Sequence, residues 1–213
     1  VQRWYVMSIL TGRYSGSSES IMDRDMRRIS EQGFIPFYEE IVASQLSDNF
    51  WKVTLPQNLV TTSVRTGAWM VYVASQVRSA DNTLFTKGFK VADVIGNVGD
   101  IHHIFPKAYL RKAIDAPQRL YNQVANYTYL EKRINIAIGE KRPGEYFSQA
   151  RDAIKSGAGY FGDIADEGTL LSSLKANCIP EGIFEMGADD YENFLAQRRF
   201  LMARKIRNYY ESL

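Results

Sequence analysis

The chain is poor in the side chains that most readily announce chemistry: among its 213 residues are one cysteine, Cys178, and two histidines, His102 and His103. A single thiol forms no internal disulfide and builds no thiolate zinc site, so no structural zinc is expected. Any metal must be held by nitrogen and oxygen donors, and this cysteine usage fits a reducing cytoplasm. No stretch approaches the roughly 20 consecutive apolar residues of a membrane span. The opening VQRWYVMSIL lacks the layout of a secretory signal, and Val1 is no initiator methionine, which predicts a piece of a longer protein. There is no GxxxxGK[ST] loop, so nucleotide hydrolysis is expected to lie outside this segment. Internal repeats and low-complexity tracts are missing too.

What is present suits a globular domain: 45% apolar and 23% charged residues, with a net charge of +2. That balance alone does not announce a nucleic-acid binder. Its distribution is less even. Residues 100–160 carry ten lysines and arginines against six aspartates and glutamates, an excess suited to a phosphate backbone or to an ordinary mixed-charge surface.

Apolar residues recur at helical spacing through residues 1–95. RWYVMSIL, SESIMDRDMRRISEQ closed by Gly33, FYEEIVASQL and VRTGAWMVYVASQVRS each predict a helix, with Ile21, Met22, Met26 and Ile29 forming one buried face. GNVGD at 96–100 ends this periodicity. IHHIFP and NYTYL at 126–130 then read as short strands, and EKRINIAI, stopped by Gly139, reads as a helix. The long loop between the strands, KAYLRKAIDAPQRLYNQ, can hold a helix of its own. EYFSQARDAIKSG and a segment from Asp189 complete the chain. In that last helix Tyr191, Phe194, Leu195, Leu201, Met202, Ile206, Tyr209 and Leu213 form a stripe, and Arg198, Arg204, Lys205 and Arg207 fall mostly off it. The expected organisation is a helical flank at 1–95, a core at 96–160 and a C-terminal helical region at 161–213, all one compact unit.

Chemistry concentrates in DIHHIFP. Adjacent strand residues face opposite ways, so His102 and His103 can serve two different purposes if the strand end curls; a structural pair is the plain alternative. Asn126 opens the second strand and Asn135 follows on the helix. Amide oxygen and imidazole nitrogen are ordinary ligands for hard to borderline divalent ions. Taken singly, Asn126 shapes a turn and Asn135 is a solvated helix residue.

Taken together, DIHHIFPKAYL and YNQVANYTYLEKRINIAIGEKRPGEYF resemble the HNH (His-Me finger) family of ββα-metal nucleases, and more particularly the nuclease domain of GmrSD-type, modification-dependent (type IV) restriction endonucleases. RWYVMSILTGRYSGSSES and YENFLAQRRFLMARKIRNYYESL resemble the segments flanking that nuclease, so nearly the whole chain is covered. The resemblance implies an α+β, predominantly helical fold with a ββα-metal motif embedded between helical segments. It puts His103 on the attacking water as general base, Asn126 in a bridging role across the strands, and His102 and Asn135 on a divalent ion, Mg²⁺ or Mn²⁺ or similar. Asp100 either joins the metal or orients His102 through a hydrogen bond. Lys132, Arg133 and Lys141 are the candidates for gripping DNA phosphates. Many HNH nucleases carry cysteine pairs that bind a structural zinc; this chain does not.

The expected activity is metal-dependent cleavage or nicking of DNA in the cytoplasm of a bacterium or archaeon, for restriction or antiphage defence. The expected partners are DNA, an N-terminal NTPase and sensor domain of the same protein, and, left open, a second copy of the chain. Two rivals remain: a non-catalytic helical docking or dimerisation module, in which changing His103 costs no activity, and an HNH nuclease that cuts RNA, disfavoured by the lack of aromatic single-strand-reading motifs.

Overall fold

The structure, a computed structural model, describes residues 1–95, 101–157 and 162–213. The break expected at GNVGD therefore lies outside the described residues. Before it come helices α1 (Gln2–Thr11), α2 (Ser18–Gln32) and α3 (Phe34–Gln45). A π-helical turn (Phe50–Thr54) follows, then α4 (Leu55–Asn58), α5 (Gly67–Arg78) and α6 (Val91–Ile95). Strand β1 (Ile101–His103) leads into α7 (Lys107–Ile114) and α8 (Gln118–Tyr121), so the inter-strand loop holds two short helices. Strand β2 (Tyr127–Tyr129) is followed at once by α9 (Lys132–Ile138), then by α10 (Pro143–Ser156), α11 (Glu167–Ala176) and α12 (Tyr191–Glu211). The protein is predominantly helical with one small antiparallel sheet, in which Ile101, His102 and His103 face Tyr129, Thr128 and Tyr127.

Three-residue strands cannot sustain themselves in water, so the sheet depends on the helices around it. Trp69 of α5 lies against both partners of β2, with ring centroids 6.1 Å from Tyr127 and 6.4 Å from Tyr129. α12 packs along α5, α4 and α1. Where α5 crosses α1, Gly67 is required: a Cβ there would overlap the carbonyl oxygen of Ile9. α9 ends at Gly139, whose φ of 58° falls in the region that favours glycine.

Two expected faces are corrected. On α2, Met22 and Met26 are 48% and 66% exposed, whereas Asp25 is buried. Arg13 Nε and Nη2 donate to the two Asp25 carboxylate oxygens at 2.8 and 2.6 Å, and the Tyr14 hydroxyl donates at 2.8 Å. This two-pronged, charge-assisted cluster satisfies the carboxylate and turns the aspartate side of α2 inward, leaving the methionines outside. On α12, Arg198 does not sit off the apolar stripe but is fully buried within it. Its Nη1 donates to the Ala125 carbonyl at 2.9 Å and its Nη2 to the Asn177 carbonyl at 3.2 Å, so a cation takes a core position by satisfying backbone oxygens.

Candidate active site

The short sheet and α9 together build the site. β1 ends at His103 and β2 begins beside it, and α9 then folds back so that Asn135 borders the same hollow as both histidines. This cleft of about 530 Å³ is lined by Ile101, His102, His103, Pro106, Lys107, Ala108, Asn135, Ile136 and Gly139. A larger hollow, of about 940 Å³, lies between α11 and α12 and is bordered by neither histidine. The smaller cleft is the candidate site, because residue type rather than volume decides what a cavity can do.

Asn126 is the clasp of this region. It belongs to the 3₁₀ turn just before β2 rather than to the strand itself, and it is fully buried. Its Oδ1 accepts from the Phe105 N–H at 2.8 Å, and its Nδ2 donates to the carbonyls of Phe105 and Tyr121, both at 3.0 Å. Its own carbonyl accepts from the Ile104 N–H at 2.8 Å. The loop that leaves β1 directly after His103 is thereby tied to the start of β2. Arg198 reinforces the tie from below through the neighbouring Ala125 carbonyl. Tyr146 does so through Ile104, whose carbonyl accepts its hydroxyl at 2.8 Å.

His102 is buried and His103 half-buried, as the alternation of β1 dictates. The His103 ring meets the rings of Tyr127 and Tyr121 edge-on, at centroid distances of 5.2 and 6.1 Å. Its Nε2 lies 2.9 Å from Oδ1 of Asn122. Burial pushes the His103 imidazole below its ordinary range; the hydrogen bond to Asn122 opposes the shift, and the positive charge of Lys107 adds to it. Burial and Lys107 thus favour the neutral ring, the form able to accept a proton.

Of the expected residues, His102, His103 and Asn135 come together on one cleft, with Asn126 behind it. Asp100 lies outside the described residues. Lys132, Arg133 and Lys141 do not border the cleft: Lys132 is exposed, Arg133 pairs with Glu131, and Lys141 Nζ donates to the Ala137 carbonyl at 2.8 Å. The cation at the cleft is Lys107. Asn122 and Lys107 had no signal of their own in the sequence, since both read as polar residues of a long loop. Among the described residues, no three His, Cys, Asp or Glu side chains gather as a metal cluster. Two residues that border the cleft beside His103, His102 and Asn135, carry an imidazole and a carboxamide, nitrogen and oxygen groups of the kind that suits a hard to borderline divalent ion. Cys178 is buried, with its thiol pushed above the ordinary range by burial, and takes no part in the cleft.

No protein-family model and no solved structure matches the chain. It is similar to an uncharacterized protein of Methanocaldococcus jannaschii, 25% identical over 228 residues that cover 97% of this chain and 36% of that protein. The chain thus spans little more than a third of the length of this relative. No described helix is long and apolar enough to cross a membrane.

Proposed function

We propose that the chain is an HNH-type, ββα-metal endonuclease unit that hydrolyses DNA phosphodiester bonds with His103 as general base. The observation that carries this reading is the meeting of His102, His103 and Asn135 on one cleft, with the buried Asn126 tying together the two strands that form it. In this reading water attacks the phosphorus, its proton passes to the neutral imidazole of His103, and the bond to the leaving oxygen breaks. His102 and Asn135 would hold the divalent ion, with Asp100 as the further candidate. When bound, that ion neutralises charge growing on the phosphate. Lys107 stands where it can pair with a phosphate oxygen, and its charge also helps to keep His103 neutral.

The same reading makes the unit the effector of a longer restriction or antiphage protein, whose NTPase and sensor domain lies elsewhere in the full-length chain and which works in a bacterial or archaeal cytoplasm. This chain covers 36% of the archaeal relative, which leaves room in that protein for further domains.

The test is a nicking assay on supercoiled plasmid, run with Mg²⁺, Mn²⁺ or EDTA, comparing wild type with His103→Ala and Asn135→Ala. Conversion to open-circle DNA that needs the metal and vanishes in His103→Ala is expected. Equal cleavage by wild type and His103→Ala would sink the assignment of the base. A parallel RNA substrate decides between DNA and RNA as the target.

A further inference from the structure

The contact between Asn122 and His103 decides which ring nitrogen can take a proton. Asn122 ends α8, where its own N–H donates to the Gln118 carbonyl at 3.0 Å. Its side-chain Oδ1 reaches Nε2 of His103 at 2.9 Å. A carboxamide oxygen can only accept, so the proton between these atoms belongs to Nε2, and in the neutral ring the lone pair is then on Nδ1. Three further contacts give the arrangement its stiffness. The ring is boxed edge-on by Tyr121 and Tyr127. The carbonyl of Tyr121, one residue before Asn122, is held by Nδ2 of the buried Asn126 at 3.0 Å. One residue further back, the Leu120 carbonyl accepts from the Tyr191 hydroxyl of α12 at 3.0 Å. Asn122 is thus presented to the histidine from a segment fixed on both the sheet side and the helix side.

We propose that Asn122 is a positioning residue that locks His103 in the Nε2–H tautomer, leaving Nδ1 as the nitrogen that accepts the proton of the attacking water. The tautomer is a property of the folded chain. Only its catalytic use rests on the nuclease reading above, and the experiment separates the two.

The purified chain, labelled with ¹⁵N in its histidines, gives two imidazole systems, which His103→Ala assigns. Wild type is expected to show a neutral His103 in a single tautomer, with an Nε2 proton slow to exchange with water. In Asn122→Ala that proton signal is lost and the tautomers mix, while Asn122→Asp, which keeps an acceptor oxygen, retains the signal. In plasmid cleavage Asn122→Ala is expected to lose about 10- to 100-fold in kcat with KM little changed, the scale of a misplaced catalytic group, and Asn122→Asp to recover most of it. A wild-type proton on Nδ1, or an unchanged protected Nε2 signal in Asn122→Ala, overturns the lock. An altered spectrum with undiminished kcat overturns the positioning role. Should wild type cleave nothing, the nuclease reading fails and the catalytic use of Asn122 with it, while the spectrum still judges the lock.

Discussion

At His103 the cost of placing charge in a half-buried ring outweighs the help of a neutral hydrogen-bond partner, and its pKa is lowered. The unfolded chain then binds a proton that the folded chain refuses, so the contribution of this group to stability is fully present above the ordinary histidine value of about 6.5. It falls away as pH drops from there toward the lower folded value. An NMR titration of the metal-free protein should put the His103 midpoint below that ordinary value. A midpoint above it would mean that a carboxylate reaches the ring. Asn126 makes the second prediction at this scale. Replacing it by alanine removes the partners of two buried backbone groups of Phe105, each costing about 1–3 kcal/mol when left unsatisfied, and of the half-buried Tyr121 carbonyl. A large drop in the denaturant midpoint is expected, well beyond the few tenths of a kcal/mol of an exposed asparagine; an unchanged midpoint would show that the clasp is idle. His102, His103, Asn126 and Asn135, which the structure brings to the cleft and just behind it, were singled out in the sequence only through the resemblance to a family motif. Asn122 was not. It acts through a side chain brought back by the turn at the end of α8, and no local pattern encodes that.

Single elements matter here because so little sheet supports the site. β1 and β2 persist by leaning on α5 and α12, so disturbing either helix should reach the cleft without touching it. Trp69→Ala removes the ring packed on Tyr127 and Tyr129, and the loss of a core aromatic costs about 3–5 kcal/mol. Its expected mark is reduced stability together with reduced protection of the β2 amides in hydrogen exchange; loss of stability with β2 amides unchanged would mean that the sheet stands without α5. Arg198 offers a finer comparison. Arg198→Ala strips donors from the carbonyls of Ala125 and Asn177 and leaves a cavity as well, whereas Arg198→Met fills most of the volume and loses only the donors. Thermal melts should rank wild type above methionine and methionine above alanine. Methionine at or above wild type would show the buried cation to be a net cost. The helices themselves were readable from apolar spacing, but their inward faces were read less well. Periodicity counts methionine as core and arginine as surface, and it cannot see Arg13 drawing Asp25 inward or two backbone carbonyls drawing in Arg198.

For the whole molecule the decisive feature is that the two histidines, and with them the one cleft that unites His102, His103 and Asn135, occur once per chain. Hydrolysing one strand needs one base and one attacking water, and the second strand of a duplex presents its phosphate in the opposite direction. A single chain that cuts as proposed must therefore nick first. At low protein concentration a plasmid time course should show open-circle DNA rising before any linear form, with linear DNA arising from a later, independent encounter. Raising the concentration tests self-association in the same tube. If linear product then appears without an open-circle precursor, and its rate grows faster than in proportion to protein, two copies are cutting together and the functional unit is a dimer. If the order of products stays the same across concentrations, the chain works as a nickase, and a double-strand break must come from successive visits or from the rest of a longer protein bringing two such units to one site.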